Sequence, residues 1–217
     1  EAAVRCQAVK TLGELEARQH ADKIAALLTD RNYEVLEAAV RVLADRWGMK
    51  RYAKDLLPLM KHEETRVRFL AFQGVGSLRA EDQIDHLLGL LGSPDKNMRA
   101  DAASTLGRMR TRAHLDRILP LLRDEEWDVR WGAAFAIGQI GSAEEAGALM
   151  ELLADPMAEV RWRAAWSILS CSGPEAAEKV VGLLQDPELT VRMSVANALT
   201  RFGCTPAYNV LLPLLND

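Results

Sequence analysis

The chain has 217 residues, and 49% of them are apolar, which is ample for a packed core. Its 27 basic and 31 acidic residues give a net charge of -4, which argues against nucleic acid or an anionic membrane as a partner. Three cysteines without a C-x-x-C pair argue against a disulfide framework and a cysteine zinc site. Because the sequence also lacks a spanning apolar run and a signal peptide, we expect a cytoplasmic protein.

Seven copies of one helix pattern follow each other along the chain. Each copy has an apolar anchor, and successive anchors lie 31 or 32 residues apart: Val4, Val35, Val67, Met98, Val129, Val160 and Val191. Small or apolar residues recur four and eight positions after each anchor, which is the spacing of one helix face. Arginine follows every anchor except that of the second repeat, which has Leu36. Aspartate stands five positions before four anchors, where it suits a turn or a helix N-cap.

A second apolar segment follows each anchor helix, as at 118–122, 149–153 and 180–184, so each repeat is predicted to be a pair of helices. Strands are not expected, because period-2 alternation is absent. Glycines follow the core residues of four anchor helices, which indicates a helix end or a close approach between helices: Gly13, Gly76, Gly107 and Gly138. The second repeat has one extra residue, which we place between Asp45 and Tyr52 in the connecting loop.

The pattern of an aspartate, a five-residue step, Val-Arg, and then alanine and leucine resembles the HEAT repeat. Its period is most similar to the short bacterial form named after the phycobilin lyases. The resemblance covers the whole chain and implies an all-α fold, an α-α superhelix of about seven two-helix repeats in one array, 1–217. It also implies that the Val-Arg helices line the concave side. The last four residues, 214–217, match 183–186, the segment that precedes a Val-Arg helix in the repeat before. The sequence thus stops where another helix is expected, so we expect a fragment of a longer array or ends that a partner covers.

The arginine and aspartate columns contain residue types that are common in binding sites. Because they recur from repeat to repeat, we interpret them as structural. Stacked copies would form a ladder in which each arginine bonds aspartates or backbone carbonyls of its own or the next repeat. At least three of the last four arginines are expected to make such bonds. The predicted structural ladder comprises Arg68, Arg99, Arg130, Arg161 and Arg192 with Asp124, Asp155 and Asp186.

Residues typical of metal sites and catalysis are scattered through the sequence. The four histidines do not form a ligand set, and the single His-Glu pair, His62-Glu63, lies in a turn rather than on an anchor helix, unlike the pairs of the iron enzyme deoxyhypusine hydroxylase. Nucleophile-elbow, phosphate-loop and dinucleotide motifs are absent, and Cys171 is interpreted as a loop thiol. We therefore expect no metal, no cofactor and no catalytic residues.

Aromatic residues occupy helix positions where polar ones are expected. Positions two and six after the anchor lie opposite the core columns, and in the middle repeats they become apolar. The predicted partner-binding residues are Phe69, Trp131, Phe135, Trp162, Trp166 and Met193, with Arg163 as a positively charged rim. Trp131, Phe135, Trp162 and Trp166 are expected to form one continuous cluster of four rings. The alternative interpretation is that neighbouring helices bury these rings.

Three functions fit this pattern. The leading hypothesis is a scaffold whose concave groove grips a peptide, a helix or a protein edge through the aromatic cluster. The second is a bilin lyase subunit or a related tetrapyrrole-binding protein, which the family resemblance and the arginines beside the rings suggest. Nucleic-acid binding, known in HEAT-like glycosylases, is disfavoured by the net charge.

Overall fold

The computed structural model describes residues 1–204, and this part of the chain is helical without a strand. The predicted all-α class is therefore confirmed, while the match of 214–217 to 183–186 lies outside the described residues. Two compact units are present, Glu1–Leu87 and a second that begins at Leu88. Within residues 1–204, no helix has both the length and the apolar character needed to cross a bilayer.

Seven helices, labelled α1 to α7, carry the anchors, and each begins two residues before its anchor. They are Ala2–Glu14, Tyr33–Val40, Thr65–Leu78, Lys96–Met109, Trp127–Ile140, Ala158–Ser172 and Leu189–Arg201. Helices α1 to α3 belong to the first unit, and α4 to α7 belong to the second. The predicted helix positions are thus confirmed.

In the first six repeats, the second segment alternates between short α-helical pieces and 3-10 turns. The α-helical pieces are Ala21–Ala25, Ala53–Leu56, Ile84–Leu90, Leu115–Ile118, Ala143–Ala146 and Ala177–Val180. The 3-10 turns are Arg18–His20, Ala26–Thr29, Lys50–Tyr52, Pro58–Lys61, Glu81–Gln83, Arg112–His114, Leu119–Arg123, Gly147–Ala154, Gly173–Ala176 and Val181–Gln185. Their buried leucines and isoleucines pack beneath the anchor helices.

The anchor columns form the core of each unit. Val35 and Val67 are buried in the first unit, and Val129, Val160 and Val191 are buried in the second, each with its alanine or valine four residues later. Burying one such side chain stabilises the fold by ~1.5–3 kcal/mol. In α1 the same column is open, since Val4 is 63% exposed. Because the anchor column recurs in successive repeats, each repeat with a buried anchor contributes the same two buried positions to the core.

Two of the glycines after the core residues, Gly107 and Gly138, mark close approaches between helices. Gly107 lies inside α4, and a Cβ atom placed on it would lie 2.5 Å from the Cα of Ala136 in α5. A Cβ atom on Gly138 would lie 3.0 Å from the Cα of Ser167 in α6. Glycine at these positions lets the backbones of neighbouring anchor helices come together.

The extra residue of the second repeat lies elsewhere than the sequence predicts. The sequence predicts it in the connecting loop, but helix α2 continues as a π-helical turn, Arg41–Arg46, in which the backbone N–H of Trp47 donates to Val42 O at 2.9 Å. A π-helical turn holds one residue more than an α-helical turn because its hydrogen bonds span five residues. The following segment starts at Lys50, one residue later relative to its anchor than in the third and fourth repeats. The insertion is therefore absorbed by the helix.

The residue that follows helix α4 is an arginine in a conformation that suits glycine. Arg110 has a φ of 56°, in the left-handed region, where a Cβ atom is unfavourable. We expect Arg110→Gly to raise the free energy of unfolding by ~0.5–1 kcal/mol, measured by urea denaturation. The matched control is Arg117→Gly, inside the short helix Leu115–Ile118, which should lower it by ~1 kcal/mol. Destabilisation by both changes would contradict this account.

Candidate functional site

Three arginines link successive repeats of the second unit through two-pronged bonds. Nε and Nη2 of each arginine donate to the two carboxylate oxygens of an aspartate 25 residues further along the chain. The pairs are Arg99–Asp124 at 2.9 and 2.9 Å, Arg130–Asp155 at 2.6 and 2.9 Å, and Arg161–Asp186 at 2.7 and 2.8 Å. Bidentate bonds of this kind are among the strongest that side chains make.

The same side chains also hold the turns before the anchor helices. Nη1 of Arg161 donates to the carbonyls of Asp155 and Pro156, six and five residues earlier. Asp186 Oδ1 accepts the backbone N–H of Glu188, the N-cap residue of α7, so the aspartate shapes the turn and is not itself the cap. The hydrogen bonds from Arg161 are the main cause of the lowered pKa of Asp186. Each aspartate therefore joins two repeats and one turn.

Arg68 departs from this arrangement. Its Nη1 donates to the carbonyls of His62 and Glu63, both at 2.8 Å, and its Nη2 donates to Thr65 Oγ1 at 2.8 Å. Its Nε is buried without a partner. The sequence explains the difference, because Ser93 stands where the next repeat would supply an aspartate. Arg68 stabilises its own turn only.

The first and last described arginines of the column each make one half of this arrangement. Arg5 bonds Asp30 at 2.7 and 3.1 Å, although this pair is more exposed than those of the second unit. Arg192 donates to the carbonyls of Asp186 and Pro187 at 2.7 and 3.0 Å. These hydrogen bonds are made within the protein itself. A stabilising role for the ladder remains a prediction.

Three aromatic rings pack together on the faces of α5 and α6 opposite the core columns. Trp131 and Phe135 are stacked one helical turn apart, with ring centroids 5.8 Å apart and planes within 3°. Trp162 meets Trp131 edge to face, at 6.4 Å and 73°. All three side chains are half-buried. We call these three rings the aromatic trio.

The expected cluster of four rings needs a correction. Trp166 makes its ring contact with Phe202, at 5.7 Å and 74°, and is not a fourth member of the trio. Phe202 follows the last residue of α7 and was not singled out from the sequence, because it lies outside the two positions that were compared between repeats. Its place at the end of the neighbouring anchor helix is the signal that could have found it.

Arg163 lies inside the trio rather than at its rim. Its Cζ lies 4.4 Å from the ring centroid of Trp131, 4.3 Å from that of Trp162 and 5.3 Å from that of Phe135. Its Nε is buried without a hydrogen-bond partner. Burial lowers the pKa of the guanidinium to about 10, so the group keeps its charge at neutral pH. The trio therefore surrounds a cation.

A second arginine borders the same rings. The Cζ of Arg108, near the end of α4, lies 5.5 Å from the ring centroid of Phe135, and the side chain is half-buried. Burial lowers the pKa of Arg108, and the charge of Asp101 partly opposes that shift. Phe135 thus has one guanidinium from α4 and one from α6 near its ring.

The remaining predicted binding residues, Phe69 and Met193, are exposed. Phe69 in the first unit is 49% exposed and lines a groove of about 260 Å³ with Tyr33, Arg41 and Gln73. Met193 on α7 is 57% exposed. The binding role of Phe69 and Met193 stays a prediction.

Residues that could bind a metal ion are not grouped together in the described part of the chain. Among residues 1–204, no three His, Cys, Asp or Glu side chains are placed to hold a metal ion together. The sequence places Cys171 in a loop, but it lies inside α6, with its Sγ 3.3 Å from Ile137 O, and burial raises the pKa of its thiol to about 11. A thiol with that pKa is a poor nucleophile at neutral pH.

Comparisons with known proteins identify the repeat. The sequence pattern of HEAT repeats matches residues 21–96, 87–168 and 146–217. No curated protein sequence matches the chain.

Among solved structures, YibA of Escherichia coli is 22% identical with a TM-score of 0.63, covering 90% of this chain and 76% of that one. The complex of CpcE and CpcF of phycocyanin lyase from Nostoc sp. is 18% identical with a TM-score of 0.60, covering 82% and 75%. An engineered protein is 20% identical with a TM-score of 0.50, covering 84% and 98%. At these identities the likeness concerns the fold alone.

Proposed function

Since this chain belongs to the HEAT-repeat family, we propose that it is a protein-binding scaffold whose second unit grips a peptide, a helix or a protein edge through the aromatic trio and Arg163. The observation that supports the proposal most is the position of the trio, which lies opposite the buried anchor columns of α5 and α6 and remains partly exposed. The core does not need large rings on that face, whereas a partner could use them.

The residue types match those that dominate binding energy at protein interfaces. Tryptophan and arginine are enriched among residues whose truncation costs ~2 kcal/mol or more of binding. The rings of the trio hold one another in place, and Arg163 fills the space beside Trp131 and Trp162. Side chains that are already ordered lose little entropy when a partner binds, which favours affinity.

A tetrapyrrole is the second candidate ligand. It is supported by the charges of Arg163 and Arg108 beside flat rings, which suit a conjugated ring system with propionate groups. The similarity to the CpcE and CpcF complex of phycocyanin lyase adds only a shared fold at 18% identity. Biliverdin added to the chain would show a red-shifted absorbance band if this function holds, and an unchanged spectrum would reject it.

Selection from a random dodecapeptide display library tests the scaffold function without a known partner. Peptides selected on the full chain should bind Trp162→Ala at least ~30-fold more weakly, the equivalent of ~2 kcal/mol. Trp127→Ala is the matched control, because Trp127 is a 37% exposed tryptophan at the start of α5 outside the trio, and it should leave binding unchanged.

Melting curves of the same variants separate binding from folding. Trp162 is half-buried, so its truncation should cost less stability than the ~3–5 kcal/mol of a fully buried ring. Selected peptides that bind wild type and a folded Trp162→Ala equally well would reject the trio as the binding surface. Failure to select any peptide dependent on Trp162 would reject the proposed function.

A further inference from the structure

Arg163 contrasts with the other arginine of the same helix. Arg161, two residues earlier in α6, places its guanidinium against the carboxylate of Asp186 at 2.7 and 2.8 Å. Arg163 is half-buried as well, but within the described residues its guanidinium has neither a carboxylate nor a carbonyl partner. Among the described residues, a carboxylate pairs with the arginine that joins repeats, whereas aromatic rings contact the arginine inside the trio.

Such a cation is prepared for an anion from outside. The rings on which Arg163 lies fix the plane of the guanidinium, so it loses little freedom when it forms a bidentate bond. Its partial removal from water strengthens electrostatic attraction, and within residues 1–204 no carboxylate pairs with it. Arg108 adds a second guanidinium within 5.5 Å of the Phe135 ring centroid, which Arg163 also approaches, at 5.3 Å.

We propose that Arg163 and Arg108 form a carboxylate-binding subsite, so that the partner presents an aspartate or glutamate side chain beside an apolar residue that contacts the trio. This inference rests on the proposed function and specifies the chemistry of the partner. The carboxylate edge pairs with the guanidinium of Arg163, while Trp131 and Trp162 contact the neighbouring apolar side chain.

The surroundings favour a single carboxylate over a polyanion. Nucleic acid requires a series of cations to neutralise its phosphates, whereas this face offers two arginines and the whole chain has a net charge of -4. Asp101 acts electrostatically on Arg108 and opposes a highly charged ligand there. The aromatic rings require an apolar neighbour, which an acidic peptide with hydrophobic residues provides.

The selected dodecapeptides test the inference through pairs of changes. Peptides that depend on Trp162 should share an aspartate or glutamate, and changing it to asparagine or glutamine should weaken binding to wild type at least ~30-fold. The same peptide change should have less than ~3-fold effect on Arg163→Gln, because the cation that reads the carboxylate is then missing. If Arg163→Gln is unfolded at room temperature, Arg108→Gln, at the border of the trio, takes its place and tests the second cation. Arg123→Gln, in an exposed pair with Glu151, is the control and should not change the effect of the peptide substitution.

The outcomes separate this inference from the function on which it rests. Trp162-dependent peptides without a shared acid, or an acid whose loss matters equally in wild type and in the arginine variants, would overturn the carboxylate subsite and leave the scaffold intact. An absorbance shift of biliverdin that Arg163→Gln abolishes, without acidic peptides in the selection, would assign the cation to a small-molecule carboxylate instead and overturn the inference. Absence of any Trp162-dependent peptide would overturn both proposals.

Discussion

Replacing Asp155 by alanine is expected to lower the free energy of unfolding by ~2–3 kcal/mol, measured by urea denaturation of the full chain. Asp155 is almost completely buried and accepts both prongs of Arg130 together with the backbone N–H of Met157. Removing the carboxylate leaves the guanidinium of Arg130 without its partner in a largely buried place, which costs more than the loss of an ordinary hydrogen bond. The turn before α6 also loses its Asx bond.

The chain provides a control of the same chemistry at an exposed place. Glu151 accepts Nη2 of Arg123 with both oxygens at 3.0 and 3.1 Å, but both side chains are mostly exposed. Glu151→Ala should therefore change stability by less than ~0.5 kcal/mol. If Asp155→Ala is as mild as Glu151→Ala, the ladder does not stabilise the junction between repeats.

The fold and the ladder could be predicted because both repeat. An arginine after Val129 or Val160 carries little information alone, but its recurrence at 31-residue steps beside an aspartate column indicates contacts between neighbouring copies. The exceptions were also readable, since Ser93 in the aspartate column corresponds to the unpaired Nε of Arg68. Repetition turns a weak local signal into a structural prediction.

The interior of the candidate site could not be predicted in the same way. Helix position placed Trp131, Phe135 and Trp162 on one face, but the side-chain torsions that bring Arg163 between two rings are not encoded in a helical wheel. The pairing of Trp166 with Phe202 depends on how a neighbouring helix ends. Local geometry of this kind also decided that the extra residue of the second repeat enters a π-helical turn.

Replacing Gly107 by alanine is expected to lower the free energy of unfolding by ~3 kcal/mol. The added Cβ would lie 2.5 Å from the Cα and 2.9 Å from the Cβ of Ala136. The first of these atoms is backbone inside α5, so no side-chain rotation relieves the contact, and helices α4 and α5 must move apart along an interface without voids. The same substitution at an open helical position is usually favourable, because alanine has the higher helix propensity.

Gly147→Ala is the matched control for Gly107→Ala, because the two changes should have opposite effects on the free energy of unfolding. Gly147 has no atom within 4 Å of its added Cβ and lies in helical backbone, with φ and ψ of -58° and -37°. Gly147→Ala should therefore be neutral or stabilise the chain by up to ~1 kcal/mol. Urea denaturation of the two variants should shift in opposite directions if close approach explains Gly107. A shift of both variants toward higher stability would mean that the α4–α5 interface accommodates a methyl group, and the role assigned to the repeated glycines would then be wrong.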